Sequence, residues 1–143
     1  MSKKDITLAQ STWVKLHRAF TSLNNSTTAK IKTFGLTYPQ FSIIETLGYI
    51  GPMKISDLYN KMLYNGGNMT IVLDQLEDKD FLRRVNSKED RRAILIELTE
   101  KGSKLYKEIC PENAKHIKKL MSVLDDGELN SLSSLLKKLG TQN

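Results

Sequence analysis

Apolar side chains recur along most of this chain at intervals of three or four residues, which is the spacing of an amphipathic helix. The stretches with this spacing predict six helices, over residues 5–33, 37–51, 55–62, 68–79, 99–124 and 125–141. The polar run NNSTT at 24–28 predicts that the first helix ends loosely, because Asn, Ser and Thr favour caps and turns. The pattern therefore indicates a mainly helical chain.

Several of these helices have start signals of their own. Thr37 and Gln40 have the spacing of a capping box at the second helix, and Asp125 begins a similar acid-x-x-Glu cap at the last one. Thr99 is placed to cap the fifth helix. Inside that helix, Pro111 removes a main-chain donor, so we expect a kink or a split there.

The period of the pattern changes between the fourth and fifth helices. The runs FLRRVNS at 81–87 and AILIEL at 93–98 are rich in β-branched and apolar residues, and they flank the charged segment KEDRR. Such runs predict two short strands. We therefore expect a β-hairpin with a five-residue charged tip.

Composition narrows the class of protein. The chain has 143 residues, 39% of them hydrophobic, and a formal charge of +6; this basic balance favours a polyanionic partner or serves solubility alone. We expect no membrane span, because no run of about 18 apolar residues occurs, and no secretory signal, because the first residues lack an apolar segment. With Cys110 as the single cysteine, we expect a cytoplasmic location.

The residue types that carry catalysis do not form a recognisable site. His17 and His116 lie in separate helical regions without metal-ligand spacing, and Cys110 has no neighbouring histidine or second cysteine. The sequence also lacks the glycine-rich phosphate motifs. We therefore expect no enzyme, no catalytic residue, no metal and no cofactor.

Residues 55–79 combine a short helix, a turn with two glycines and a second helix, which is the arrangement of a helix-turn-helix. An ordinary helical hairpin with a polar face is the alternative interpretation. In a helix-turn-helix, Asn and Gln would bond base edges, Thr and Ile would touch thymine methyl groups, and the glycines would let the backbone approach phosphates. The candidate DNA-binding residues are Asn65, Gly66, Gly67, Asn68, Thr70, Ile71 and Gln75.

A β-hairpin that directly follows such a helix is a wing, and an arginine at its tip can enter a narrow minor groove. Lys88, Arg91 and Arg92 supply the positive charge at this tip. We expect Asp90 to brace one of the arginines through a carboxylate–guanidinium pair, and Asp74 to do the same from the preceding helix.

Together these elements predict a mainly α fold with a small β-hairpin wing (α+β). A winged helix-turn-helix core over residues 36–98 would bind DNA, and residues 1–35 and 99–143 would form a helical dimerisation region. The terminal helices carry more apolar surface than this middle region can cover. Packing against a second copy of the chain is therefore expected.

Several segments resemble the MarR family of winged-helix transcriptional regulators. They are residues 36–41, 66–77, 90–102 and 125–139. The resemblance implies a homodimer that binds a pseudo-palindromic operator in double-stranded DNA. It also implies a repressor that is released by a small aromatic or lipophilic effector or by thiol oxidation. Arg92 would enter the minor groove, Arg91 would contact the DNA backbone, and Asp90 would be the brace.

Some positions depart from the family pattern. Gln75 stands where many members have arginine, and Asp80 replaces a glycine, although Asp can accept a left-handed turn. The family's peroxide sensors carry a reactive cysteine in the first helix, whereas no cysteine precedes Cys110. The thiol-oxidation route therefore lacks its usual residue in this chain.

The resemblance places an effector pocket where the first, second and fifth helices meet the DNA-binding core. Trp13, His17, Tyr38 and Phe41 are the candidate lining residues, with core packing as the alternative role for each. A winged-helix module that binds an acidic protein surface, without an operator, is the alternative to a DNA-binding regulator.

Overall fold

The computed structural model describes residues 3–62 and 68–141 of the chain. In order, its elements are α1 (Lys3–Lys32), α2 (Tyr38–Ile50), β1 (Met53–Lys54), α3 (Ile55–Lys61), α4 (Met69–Asp78), β2 (Leu82–Asn86), β3 (Ile94–Leu98), α5 (Glu100–Met121) and α6 (Asp126–Gly140). Helices dominate, and the antiparallel β2–β3 hairpin follows α4 directly. The predicted mainly α fold with a β-hairpin wing is therefore confirmed.

Local hydrogen bonds explain where three of the helices begin. At α2, the Thr37 hydroxyl accepts from the Gln40 main-chain nitrogen at 3.3 Å, and the Gln40 side-chain carbonyl accepts from the Thr37 nitrogen at 3.0 Å. Asp125 and Glu128 form the same reciprocal pair at α6, and the Thr99 hydroxyl caps α5. The capping signals in the sequence are therefore confirmed.

The loose end predicted for the first helix and the split predicted at Pro111 are not observed, while the kink at Pro111 stays a prediction. The 24–28 segment is regular helix inside α1, where the Thr27 hydroxyl donates to the Leu23 carbonyl at 2.8 Å; a hydroxyl bonded back to its own helix does not draw the chain into a turn. α5 runs through Pro111 without a split. Its packing against α1, α2 and β3 holds it across the single main-chain bond that proline removes.

The structure adds one strand that the hydrophobic pattern did not predict. β1 pairs antiparallel with β3, with Met53 opposite Ile96, so the sheet has the order β1-β3-β2. The β2–β3 hairpin places Leu82 opposite Leu98. A strand of two residues is too short to show the alternation on which strand prediction rests.

α2 lies at the centre of the core, in contact with α1, α3, α4, α5 and β3. Its Phe41, Ile43 and Ile44 are at most 2% exposed. The core continues into α3, α4 and the sheet through Leu58, Leu73, Leu76, Leu82 and Ile96. Burial stabilises the fold by roughly 1.5–3 kcal/mol for each such side chain, and it fixes α4 and the sheet on α2.

The terminal helices leave apolar side chains uncovered. In α1, Trp13 and Phe20 are 67% and 65% exposed, and in α6, Leu135 and Leu139 are 60% and 50% exposed. A groove of about 590 Å³ between the two helices is lined mostly by apolar groups. In the part of the chain that the structure describes, no helix is both long and apolar enough to cross a bilayer.

Candidate nucleic-acid interface

α4 buries one face and exposes the other. The predicted apolar stripe is buried, and it consists of Met69, Val72, Leu73 and Leu76. The described candidates for DNA binding are all exposed, and they are Asn68, Thr70, Ile71 and Gln75. Asn65, Gly66 and Gly67 lie outside the described residues. The core therefore holds α4 with its mainly polar face open to a partner.

Asn68 begins α4 as its N-cap. Its side-chain oxygen accepts from the main-chain nitrogens of Thr70 and Ile71, at 3.1 and 3.4 Å. The oxygen is thus used for capping, while the side-chain amide group retains two donor hydrogens. Because a helix N-terminus also carries partial positive charge, this end of α4 favours an anion such as phosphate.

Arg84, which is not among the predicted site residues, connects the wing to α4. Arg84 of β2 donates from Nη2 to Asp74 Oδ1 at 3.0 Å and from Nη1 to Glu77 Oε1 at 2.7 Å. The hydrogen bond to Asp74, together with the charges of both carboxylates, raises the pKa of the Arg84 guanidinium. Asp74 therefore braces the wing, but through strand β2 and not through an arginine at the tip.

The tip of the wing is folded by its own main chain. Ser87 Oγ accepts from the nitrogens of Glu89 and Asp90 at 3.3 Å each. Asp90 Oδ1 accepts from the main-chain nitrogen of Arg92 at 3.0 Å, which replaces the guanidinium pair expected for this residue. In a tight turn, the nitrogen two residues on is the nearest donor to an Asp side chain. The cations of the tip are exposed, and they are Lys88, Arg91 and Arg92.

The end of α4 and the start of α5 meet at three main-chain carbonyls. The Thr99 nitrogen donates to the Phe81 carbonyl at 3.1 Å, and the Thr99 hydroxyl donates to the Asp80 carbonyl. Lys101 Nζ donates to the Lys79 carbonyl at 2.9 Å. These bonds attach the end of α4 directly to the long helix α5.

The four residues expected in an effector pocket do not share one cavity. Trp13 is exposed, with its ring 6.4 Å from that of His17, whereas Phe41 is buried in the core. Core packing is therefore the role of Phe41 but not of Trp13. Tyr38 lines a cavity of about 210 Å³ between α1, α2 and α5, whose apolar walls include Phe20, Leu23, Ile117, Leu120 and Met121.

Cys110 lies half-buried on α5, near Glu45 of α2. Burial, and after it the negative charge of Glu45, raises the pKa of the Cys110 thiol to about 12. The thiolate is the reactive form of cysteine. Near neutral pH, the protein therefore keeps Cys110 in its unreactive, protonated form.

Three short helices on a small sheet, with the last helix exposed on its polar face and followed by a cationic hairpin, define a winged helix-turn-helix protein. The sequence model of the MarR family matches residues 36–94. The chain is also 33% identical over 140 residues to the HTH-type transcriptional regulator MhqR of Bacillus subtilis (strain 168), which covers 98% of this chain and 94% of that protein. The chain belongs to the MarR family, whose members are DNA-binding transcriptional regulators.

Solved structures share the whole fold. AbsC, a MarR family transcriptional regulator from Streptomyces coelicolor, has a TM-score of 0.83 at 21% identity, over 98% of this chain and 94% of that chain. BpsR of Bordetella bronchiseptica has a TM-score of 0.78 at 23% identity, over 90% of this chain and 91% of that chain. The predicted family is confirmed. The expectation that the chain is not an enzyme is confirmed too, because its relatives are transcriptional regulators.

Proposed function

We propose that this chain is a cytoplasmic, homodimeric repressor that binds a pseudo-palindromic operator and is released by a small aromatic or lipophilic effector. Each subunit places α4 in a major groove and the wing tip in the adjacent minor groove. The observation that carries the proposal is the Arg84 tie to Asp74 and Glu77, because it holds the wing at a fixed position relative to the exposed face of α4.

In the major groove, the exposed side chains of α4 would read base edges. Thr70 and Ile71 suit contacts with thymine methyl groups, and Gln75 suits a hydrogen bond to a base edge. Asn68 and the N-terminus of α4 would contact phosphate oxygens. Asn65, Gly66 and Gly67, which precede this end in the sequence, would approach the same phosphates.

In the minor groove, the cations of the wing tip would meet the strongest negative potential of the duplex. Arg92 is the proposed minor-groove residue, while Arg91 and Lys88 would contact the DNA backbone. Asp90 supports this arrangement by holding the nitrogen of Arg92 in the turn. A folded tip loses less conformational freedom on binding than an open loop does.

The uncovered apolar faces of α1 and α6 support the homodimer. A monomer in water rarely leaves such a continuous apolar surface exposed, and a second copy of the chain is the simplest cover for it. A symmetric dimer would also place two α4 helices on half-sites related by the same two-fold axis, which is what a pseudo-palindromic operator requires.

The cavity beside Tyr38 supports the effector. It is lined mainly by apolar and aromatic groups, it is partly open to solvent, and it lies where α5 joins α1 and α2. BpsR, which shares the fold, has its DNA binding regulated by 6-hydroxynicotinic acid. A small aromatic molecule with a polar group suits the lining of the cavity in this chain, which adds polar groups of Asn24, Thr27 and Tyr38 to its apolar walls. The high pKa of Cys110 argues against thiol oxidation as the release signal.

Random-pool DNA selection with the purified protein, followed by Arg92→Ala, tests the proposal. The selected sites should be pseudo-palindromic, and the substitution should weaken operator binding by roughly 1–3 kcal/mol and reduce the salt dependence of binding, because a groove contact and a cation are lost. Binding is measured by fluorescence anisotropy over a range of salt concentrations.

Lys118→Ala is the matched control, because Lys118 is an exposed cation near the far end of α5. It removes the same charge and should leave the affinity nearly unchanged. Unchanged affinity in Arg92→Ala would contradict the wing assignment. Failure of the protein to select any DNA sequence would favour the protein-interaction alternative.

A further inference from the structure

A short chain of hydrogen bonds connects the cap of α2 to the outer face of α4. The Thr37 main-chain nitrogen donates to Gln40 Oε1 at 3.0 Å, and Gln40 Nε2 donates to Gln75 Oε1 at 3.2 Å. Gln40 is 5% exposed, whereas Gln75 is exposed. A buried side chain on one helix therefore holds the end of an exposed side chain on another.

The Thr37 main-chain nitrogen fixes the order of donors and acceptors along this series of hydrogen bonds. A main-chain nitrogen can only donate, so the Gln40 atom that faces Thr37 must be the carbonyl oxygen. The amide nitrogen of Gln40 then faces Gln75, and since that nitrogen can only donate, Gln75 must turn its oxygen toward it. Each amide is thus oriented by its neighbour, and the NH₂ group of Gln75 is the part left for a partner.

We propose that Gln40 is a positioning residue that makes Gln75 a hydrogen-bond donor toward DNA, so that α4 selects a base with an acceptor edge. The inference rests on the proposed function and deepens it by specifying the base. Guanine offers O6 and N7 in the major groove and thymine offers O4, whereas cytosine offers only its amino group. Adenine also offers N7, so the position read by Gln75 accepts guanine, thymine or adenine and disfavours cytosine.

Adenine remains compatible with this orientation of Gln75. A bidentate pair with adenine needs the glutamine oxygen to accept from N6 and the glutamine nitrogen to donate to N7. The oxygen of Gln75 already accepts from Gln40, but an amide oxygen has two lone pairs, so it can accept from adenine N6 as well. Cytosine, which offers only a donor, is therefore the base that this orientation disfavours.

The capping box offers a way to reverse the polarity without losing the cap. In Gln40→Glu, one carboxylate oxygen still accepts from the Thr37 nitrogen, because Glu and Gln serve equally at this position of a capping box. The other oxygen can only accept, so it would bind the NH₂ group of Gln75. Gln75 would then turn its oxygen toward the DNA and select bases with an exposed amino group, cytosine or adenine.

The experiment compares random-pool DNA selection for the wild type, Gln40→Glu, Gln75→Glu and Gln75→Ala. The wild type should disfavour cytosine at one position in each half-site, and Gln40→Glu should raise the ratio of cytosine to guanine at that position by about tenfold. Gln75→Glu presents an acceptor from an exposed residue, so it makes the same shift without a change in the core. Gln75→Ala should lose the preference at this position alone.

Two controls separate positioning from a general structural effect. Gln10→Glu introduces the same charge at an exposed site on α1, and it should leave the base preference unchanged. Gln40→Glu places a carboxylate at a position that is 5% exposed, so its thermal melting temperature should fall. The base preference of Gln75→Glu, in which the substituted residue is exposed, then decides the test. A purely structural role for Gln40 would lower affinity for all sequences equally and would leave the preferred bases as they were.

The results that overturn the inference are distinct from those that overturn the proposed function. If the wild type selects an operator but neither glutamate variant changes the preferred base, Gln75 does not read a base and the inference fails alone. A uniform loss of affinity in both glutamate variants would indicate that Gln75 bonds a phosphate, which also overturns it. If the wild type selects no sequence, the proposed function and the inference fail together.

Discussion

Asp80 shows how one residue ends helix α4. Its φ of 63° is the left-handed conformation in which glycine is usual. The Asp80 nitrogen donates to the Glu77 carbonyl and the Phe81 nitrogen to the Leu76 carbonyl, both at 2.9 Å, which is the Schellman pattern of helix ends. The expectation that Asp accepts this turn in place of glycine is confirmed.

Cys110 provides a prediction at the scale of a single group. Because the pKa of its thiol is raised to about 12, Cys110 should react with iodoacetamide at pH 8 far more slowly than a free cysteine does. The reaction rate should keep rising with pH well beyond 9. The raised pKa also means that this thiol's contribution to stability is complete below the ordinary cysteine pKa and is lost as pH rises toward 12.

The measurement is mass spectrometry of the alkylated protein over time. Protein unfolded in urea is the control, because exposure to water restores an ordinary thiol pKa and should restore an ordinary rate. Fast alkylation of the folded protein at pH 8 would show that Cys110 is available for redox signalling after all.

At the residue scale, local partners could be predicted and distant ones could not. Thr37 and Gln40 are three positions apart, so their capping box followed from spacing. Gln40 and Gln75 are 35 positions apart, and their bond depends on how α2 and α4 pack. For Asp90, the residue was identified but not its partner, since the competition between a main-chain nitrogen and a guanidinium is decided by turn geometry.

At the scale of elements, the connection between α4 and the wing rests on Arg84. In Arg84→Met, Asp74 and Glu77 lose their shared cation, and the two carboxylates repel each other. We expect a loss of about 1 kcal/mol in the free energy of unfolding, because these pairs are partly exposed. Operator affinity should fall by more than this, since the wing is no longer held beside α4.

Urea denaturation and anisotropy titration measure the two quantities. Arg83→Met is the matched control, because Arg83 pairs with Glu97 within the sheet and makes no described bond to α4. It should change the stability by less than about 0.5 kcal/mol. Equal losses of affinity in the two variants would show that Arg84 does not hold the wing.

The elements themselves were largely predictable. The hairpin strands were expected at 81–87 and 93–98, and they are Leu82–Asn86 and Ile94–Leu98. The failures have physical causes that no local pattern contains. β1 exists because two residues meet β3 in space, and α5 continues through Pro111 because tertiary packing outweighs one lost hydrogen bond.

For the whole molecule, the proposed dimer leads to a prediction on α6. Leu136→Glu should convert the dimer to a monomer at micromolar concentration, because a charge would have to be buried in an apolar interface. Leu136 is 40% exposed in one chain, so the subunit itself should remain folded. Light scattering after size-exclusion chromatography gives the mass, and circular dichroism checks the helices.

Ser134→Glu is the control, because Ser134 lies about 200° around α6 from Leu136. It adds the same charge to the opposite face of the helix and should leave the dimer intact. If Leu136→Glu remained dimeric, α6 would not form the interface, and the exposed apolar residues of α1 would be the next candidates.

The sequence indicates that the apolar faces of the terminal helices pack against something, but it does not identify the partner. Leucine spacing in α6 shows which face is apolar, and the same spacing occurs in helices that pack inside one chain. The base sequence of the operator cannot be predicted from the protein sequence for a similar reason. The exposed residues of α4 could be named from their positions, whereas the orientation of an amide such as that of Gln75 depends on its neighbours in space.

The bonds from Thr99 and Lys101 to the carbonyls at 79–81 make the end of α4 and the start of α5 one mechanical unit. In the proposed dimer, any tilt of α5 would therefore change the distance between the two recognition helices while leaving each helix face as it was. An effector bound beside α5 would therefore change the half-site spacing that the dimer fits, and not the base sequence that it prefers within each half-site. Induction would then change the distance between the two recognition helices without changing the surface that either helix presents to DNA.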